Sequence, residues 1–296
     1  MFTLAHLSDP HLGPLPPVRW RDLASKRAFG YVNWRRGRGA RLGPSSLVAL
    51  VEDLRQSEPD HIAVTGDLIN IGLPAEVEAA REWLAAIGEE NDVTVVPGNH
   101  DAYLPGSIRR YSEAWGPYMR GDEGDEGTFP FVRRRGPLAL VGVSSAVATA
   151  PLMATGRIRS AQSEALAETL NELGREDVFR VVLIHHPPIE GSTPWHKRLV
   201  GASGFRAAVA GAGAELVLHG HNHFTSVAAI PGPTGLVPVV GATSASLHPR
   251  DGRAGGSYLL YRIGRRNGGF ETEMVERGAR EAGGPIETLS ARRLDG

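Results

Sequence analysis

A chain of 296 residues with 41% hydrophobic and 22% charged content carries enough apolar material for a sizeable core, in one large domain or two small ones. Its formal net charge of -1 provides no global pull toward nucleic acid or anionic membrane. The absence of cysteine excludes disulfides, thiolate metal sites, cysteine nucleophiles and redox dithiols, so any metal must be held by oxygen and imidazole.

Phe2 to Ser8 reads as a short buried strand running into Asp9-Pro10-His11. Met1 to Leu7 lacks the charged and apolar segments of an export signal, and no run approaches the roughly 18 apolar residues of a membrane span, so a cytoplasmic location is expected. An insert at 13–43 follows, with a Pro-rich turn and then an Arg-rich stretch containing Trp20, Phe29, Tyr31 and Trp34. A helix is expected over Ser45 to Gln56 behind a Ser cap, then a strand over His61 to Thr65 that ends at Gly66-Asp67. Ala75 to Ile87, just after Pro74, repeats the helical pattern. The strand Val93 to Val96 stops at Pro97-Gly98 and leads directly into Asn99-His100-Asp101. The acidic run at 121–127 is read as a solvated loop.

Strands are next expected at Leu138 to Val143, Arg180 to Ile184 and Glu215 to Leu218, with helices at Ser160 to Leu173 and Gly204 to Ala210 between them. The last two strands run into His185-His186 and into His221 and His223. Short strands at Val227 to Ile230, Leu236 to Val240, Tyr258 to Ile263 and Phe270 to Val275 suggest a second, largely antiparallel sheet. The expected organisation is one α/β (α+β) domain over 1–277, followed by a polar, mobile tail at 278–296.

Asp9, His11, Asp67, Asn99, His100, His185, His221 and His223 thus occupy five strand-to-loop junctions. In open α/β sheets the loops beyond the carboxyl ends of strands meet at one edge, where such residues converge. Singly, an Asp-x-His pair or a Gly-Asp turn is weak evidence; the ordered set of five carries the argument. Mixed carboxylate, amide and imidazole donors suit Mn, Fe, Zn or Co.

With Asp9-Pro10-His11, Gly66-Asp67, Gly98-Asn99-His100-Asp101, His185-His186-Pro187-Pro188 and Gly220-His221-Asn222-His223 in this order, the chain resembles the calcineurin-like metallophosphoesterase superfamily. It looks nearest to bacterial cyclic-nucleotide and glycerophosphodiester phosphodiesterases. The resemblance spans about residues 2 to 275 and implies a four-layer αββα sandwich, two facing mixed sheets flanked by helices, with two divalent metals at one sheet edge. It implies that Asp9, His11 and His223 hold one metal, Asn99, His185 and His221 the other, and Asp67 bridges both. Pro10 stands where relatives more often carry other residues, but its side chain is not asked to bind metal. His6 and His219 match no ligand position and are read as structural.

The expected reaction is hydrolysis of a phosphodiester by a water bridging the two ions, its pKa lowered from about 15.7 toward neutrality. His100 is expected to protonate the leaving oxygen and Asp101 to orient His100. Eight cationic side chains, Arg19, Arg21, Lys26, Arg27, Arg35, Arg36, Arg38 and Arg41, face the single acid Asp22 within the insert, which is read as a lid or a peripheral membrane element. His186, His196, Lys197 and Arg198 are the other candidates for substrate contact. The expected partner is a small phosphate ester; a single short basic segment argues against nucleic acid. The membrane-facing alternative is a hydrolase of lipid-linked pyrophosphate or phospholipid. A metal-binding scaffold without catalysis is disfavoured because every block is present.

Overall fold

Hydrogen bonding sorts the apolar segments into two six-stranded sheets, and amphipathic helices cover the outer face of each. The computed structural model describes residues 1–23, 25–123, 128–250, 252–266 and 268–294. Most of the acidic run at 121–127 lies outside the described residues, as does the side chain of Arg38. The strands are β1 (Phe2–Leu7), β2 (His61–Val64), β3 (Val93–Val95), β4 (Phe131–Arg135), β5 (Leu138–Gly142), β6 (Gly156–Arg157), β7 (Phe179–Leu183), β8 (Leu199–Val200), β9 (Leu216–His219), β10 (Ser226–Pro231), β11 (Leu236–Gly241), β12 (Ser257–Arg266), β13 (Gly269–Gly278) and β14 (Glu287–Arg293). The α-helices are α1 (Arg27–Asn33), α2 (Gly39–Arg41), α3 (Pro44–Gln56), α4 (Pro74–Ile87), α5 (Ser107–Trp115), α6 (Ser160–Leu173) and α7 (Ala202–Ala212).

The first sheet runs β14-β13-β12-β1-β2-β3 and the second β10-β11-β9-β7-β5-β4, with β6 and β8 forming a small separate pair. β1, β2 and β3 are parallel, as are β5, β7, β9 and β11, while the outer strands are antiparallel, so both sheets are mixed. Three apolar clusters define the layers. Leu4, Leu138, Leu140, Leu216, Leu218, Leu259 and Tyr261 fill the space between the sheets. Leu50, Leu54, Leu84 and Trp115 seal helices against the first sheet, and Leu166, Leu170 and Phe205 against the second. On α3 the buried residues Leu47, Leu50 and Leu54 fall at helical spacing, and each fully buried leucine contributes roughly 1.5–3 kcal/mol. The result is the expected αββα sandwich.

Three details differ from the sequence reading. The strands after His223 do not form a sheet of their own: β11 pairs with β9 in parallel and β10 follows it, whereas β12 pairs with β1 and carries β13. Each existing sheet thereby gains hydrogen-bond partners for an edge that would otherwise be open. Helix α3 starts at Pro44 behind Gly43, which has no side chain to cap with, and the Ser46 hydroxyl inside its first turn bonds Nδ1 of His248 at 3.0 Å. The polar tail is not a mobile appendage over Glu287–Arg293: it pairs with β13 as an exposed edge strand, which explains its polarity. Among the described residues no helix is long and apolar enough to cross a membrane.

Arg133 of β4 fastens the two sheets together. Only 3% exposed, it donates to the carbonyls of Arg120, Glu90 and Val93 at 2.7 Å each, and to that of Pro117. Burial lowers its pKa to about 10, and the carbonyl cage rather than a carboxylate holds the charge. Replacing Arg133 with Met removes every one of these donors and should cost about 3–5 kcal/mol in urea unfolding; a loss under 1 kcal/mol contradicts the fastening role.

Candidate metal centre

The loops leaving β1, β2, β3, β7 and β9 meet at the carboxyl ends of the parallel strands. Backbone bonds from Asp9 N to Gly66 O, His11 N to Asp67 O and Leu12 N to Leu68 O run the first two loops side by side past the sheet edge. Seven non-glycine residues among those described have positive φ, and five of them are Asp9, His11, Asp67, His221 and His223. Asp and His enter the left-handed region more readily than most residues, at about 1–3 kcal/mol each. The turns re-aim side chains that would otherwise alternate across the strand. Glycines make room for them: a Cβ on Gly98 would strike the Asp67 carboxylate, and one on Gly220 would strike Ser8 and Asp9.

The side chains converge as two adjoining groups. Asp9 Oδ1 lies 3.1 Å from His223 Nε2 and 3.7 Å from His11 Nε2, and these two nitrogens are 3.3 Å apart. On the other side, His185 Nε2 lies 3.3 Å from Asn99 Oδ1, and its ring centroid is 5.2 Å from that of His221. Asp67 Oδ2 stands between the groups, 3.8 Å from His11 Nε2 and 3.4 Å from His185 Nε2. Its other oxygen accepts from the His100 N–H at 2.7 Å.

Donor chemistry and tautomers fit divalent cations. His11 Nδ1 meets the Ile69 carbonyl at 3.2 Å and His185 Nδ1 the Thr65 carbonyl at 2.6 Å. A carbonyl only accepts, so each Nδ1 carries a proton and each Nε2 points inward, where it offers a lone pair to a metal once it holds no proton of its own. His221 is arranged the other way: its Nε2 meets the Lys197 carbonyl at 3.0 Å, so Nδ1 is its inward donor. Asp9 and Asp67 are buried, and a buried carboxylate is held by a cation or by N–H and O–H donors. Against the burial that opposes it, the field of Asp67 and Asp9 pushes the His185 pKa up to about 10, so a proton occupies the place where positive charge is wanted. The Asp67 pKa is held well below the usual carboxylate range, with burial opposed by His185 and His100.

The surrounding residues divide into supports and walls. Asp101 does not orient His100: its oxygens accept from the backbone N–H of Asp67 and Gly98 at 2.8 Å each, of Leu68 at 3.0 Å and of Ile69 at 3.4 Å, locking two ligand loops together. Burial and Asp67 push its pKa up to about 7 while those N–H groups hold it down. His100 is positioned instead by the Asn70 carbonyl at Nδ1. His186 lies fully buried behind the ligands: Nδ1 bonds Ser145 Oγ at 2.8 Å and Nε2 the Ala154 carbonyl at 3.2 Å, so its ring supports His221 from 4.4 Å rather than facing substrate. Burial first, then His185, lowers its pKa to about 3, keeping the ring neutral. His6 and His219 are likewise buried and neutral, with pKa values lowered by burial to about 3 and about 4.

A cleft of about 710 Å³ opens from Asp67, Asn99, His100, His221 and His223. The insert supplies one wall, and His196 and Lys197 stand on another. Arg198 is exposed and donates to the Trp195 carbonyl at 3.2 Å, off the cleft wall. Sequence reasoning missed Asn70 and Glu76, whose carboxylate accepts from the N–H groups of Asn70, Ile71 and Leu73 and braces the loop carrying Asp67. The Glu three residues into α4 after Leu73 was the available signal, a capping-box spacing.

This fold and this edge of converging carboxylates and imidazoles define a metal-dependent phosphoesterase architecture. The chain belongs to the calcineurin-like phosphoesterase family, whose model matches residues 2–224. It is 30% identical over 98 residues to the glycerophosphodiester phosphodiesterase GpdQ of Enterobacter lignolyticus (strain SCF1), a stretch amounting to 33% of this chain and 29% of that protein, so the match spans under a third of that relative. Among solved structures, a dimetal phosphatase from Danio rerio superposes with a TM-score of 0.56 at 12% identity over 98% of both chains. The purple acid phosphatase PPD1 from yellow lupin (Lupinus luteus) seeds gives 0.59 at 11% identity, over 99% of this chain and 53% of that one. At such identities the likeness speaks for the fold.

Because the raised pKa means that His185 is protonated in metal-free protein near neutrality, metal entry must displace that proton. Apparent Mn²⁺ affinity should therefore rise with pH between about 6 and 9, by roughly tenfold per unit for one proton released. Calorimetry in buffers of differing ionisation enthalpy checks this, and a pH-independent affinity with no proton release contradicts it. Replacing Asp101 with Ala should weaken metal binding and lower stability by about 3 kcal/mol or more, since buried N–H groups lose their acceptor; unchanged melting and metal titration would remove its bracing role.

Proposed function

We propose that the protein is a dinuclear metal-dependent phosphodiesterase acting on small diesters of the cyclic-nucleotide or glycerophosphodiester class. The observation that carries this reading is the position of Asp67 Oδ2 between His11 and His185, which gives two metal groups one shared carboxylate. The partial likeness to GpdQ favours diesters within the family. Asp9, His11 and His223 would hold one ion, Asn99, His185 and His221 the other, and Asp67 both, with Mn, Fe, Zn or Co matching the donors. When bound, the two ions supply Lewis acidity that makes water nucleophilic near neutral pH and offsets charge on the phosphoryl oxygens.

The remaining work falls to the chain itself. His100 lines the cleft with Nδ1 donating to the Asn70 carbonyl, which leaves Nε2 at the opposite side of the imidazole. From there it donates a proton to the departing alkoxide as the P–O bond breaks. The stack of Tyr103 on His100, centroids 5.7 Å apart, keeps the ring from turning.

A second reading, a membrane-associated hydrolase of lipid-linked pyrophosphate or phospholipid, draws on the exposed Trp20, Phe29 and Val32 of the basic insert and on Leu152 at the cleft. Co-sedimentation with anionic vesicles that is lost when Trp20 and Phe29 become Ser would favour it; no sedimentation would remove it.

Replacing His100 with Ala should leave metal content intact and lower kcat by about 10²-fold on alkyl diesters, but much less on bis-p-nitrophenyl phosphate, whose leaving group needs no proton. Equal losses on both would refute proton donation. A panel of cyclic nucleotides, glycerophosphodiesters, nucleotide-linked lipids and phosphomonoesters, run under several metals, tests the diester assignment; activity confined to monoesters would overturn it.

A further inference from the structure

Lys26 stands apart from the other cations of the insert in where it is held and by what. Three contacts fix its place. Arg27 donates from Nε to the Ile71 carbonyl at 3.1 Å and from its terminal nitrogen to the Gly72 carbonyl, which docks the start of α1 on the loop behind Asp67. The Tyr103 hydroxyl donates to the Lys26 carbonyl at 3.4 Å. Gly30 lets α1 approach closely, since a Cβ there would strike Tyr103 and Ile71.

The side chain then reaches across the cleft. Its Nζ donates to Thr149 Oγ1 at 2.8 Å and lies 4.7 Å from the centroid of the Tyr103 ring, the same ring that stacks on His100. Thr149 in turn donates to the Met153 carbonyl at 2.6 Å, so its hydroxyl is oriented to accept from Lys26. A neutral hydroxyl and a ring face hold this half-buried ammonium; neither cancels its charge. An ammonium has three N–H donors, and Thr149 takes one of them. A partly desolvated cation so placed gains most from an anion delivered by a ligand. The cleft agrees in sign: Arg36, Arg41 and Lys197 share its walls, and Asp67 is the one acid among its described lining residues.

Resting on the phosphodiesterase reading, we infer that Lys26 forms a subsite for a second anionic group, a phosphate or carboxylate carried on the leaving-alcohol side of the diester. Its place follows from the geometry: His100, which would meet the leaving oxygen, and Lys26 both lie against the ring of Tyr103. Hydrolysis itself is unchanged. Water adds its oxygen to phosphorus, the P–O bond to the leaving alcohol breaks, and that alcohol departs with a proton and with its own anionic group. Diesters with a neutral or cationic leaving alcohol lack the partner that Lys26 offers.

The test uses the whole 296-residue chain, Mn-loaded, and two diesters that differ at one end, bis(glyceryl) phosphate and the glyceryl phosphodiester of glycerol 3-phosphate, followed by ³¹P NMR. Wild type should show a kcat/KM at least about tenfold higher for the diester with the extra phosphate, the size expected of one charge-assisted contact. In K26M that ratio should collapse toward one, in K26R it should largely persist, and in T149V, which removes only the bridge across the cleft, it should be retained. A calorimetric comparison of glycerol 1,3-bisphosphate with glycerol 1-phosphate should show the same preference in wild type and its loss in K26M. Equal wild-type kcat/KM for the two diesters overturns the inference without any variant, and so does a K26M that slows both by one factor. Wild type inert on both diesters and on bis-p-nitrophenyl phosphate would instead remove the phosphodiesterase reading; turnover of the last with no preference between the others removes only the Lys26 subsite.

Discussion

Two carboxylates buried a few ångströms apart at a sheet edge, with imidazoles and the Asn99 amide clustered around them, set the terms for the rest of the molecule. Asp9 and Asp67 are shielded from water, and His11 and His185 approach Asp67 with their Nε2 atoms. Such a group of acceptors repels itself unless protons or cations intervene. The His185 pKa, driven up to about 10 in spite of burial, records that demand for positive charge. Divalent cations meet it more completely than one proton, and under the proposed function Asp67 is the carboxylate that both would share.

Holding that arrangement requires strain and supports for it. Five left-handed turns at ligand residues cost about 1–3 kcal/mol each and persist only because the neighbouring structure leaves no alternative. Asp101 ties the N–H groups of two ligand loops to one carboxylate, Glu76 braces the loop beyond Asp67, and Ser244 Oγ donates to the Asp9 carbonyl at 2.7 Å. Behind them the two sheets, sealed by apolar side chains and fastened at one edge by Arg133, supply a rigid base. Strain in the loops and rigidity in the sheets belong to one design, since pre-set ligands bind a cation without reorganising.

Much of this was legible in sequence because the relevant residues are punctuated by strand ends. Gly66-Asp67, Gly98-Asn99-His100 and Gly220-His221 each follow an apolar run, and the two sheets follow from the alternation of such runs with amphipathic helices. The part that was not legible depends on contacts between distant residues or on backbone groups. Adjacency suggested that Asp101 serves His100, whereas its oxygens are taken by four N–H groups and the Asn70 carbonyl takes its place. Lys26 looked like one of eight interchangeable cations until Arg27, Tyr103 and Thr149 set it apart. The polar composition near the C-terminus pointed to a free tail, but an edge strand exposed to water has the same composition.

The central claim, that one carboxylate joins two ions, is tested most directly by electron paramagnetic resonance of protein loaded with two equivalents of Mn²⁺. A shared Asp67 predicts a spin-coupled signal from a pair of ions in each chain. A spectrum containing only the six lines of isolated Mn²⁺, unchanged between one and two equivalents, would contradict the account.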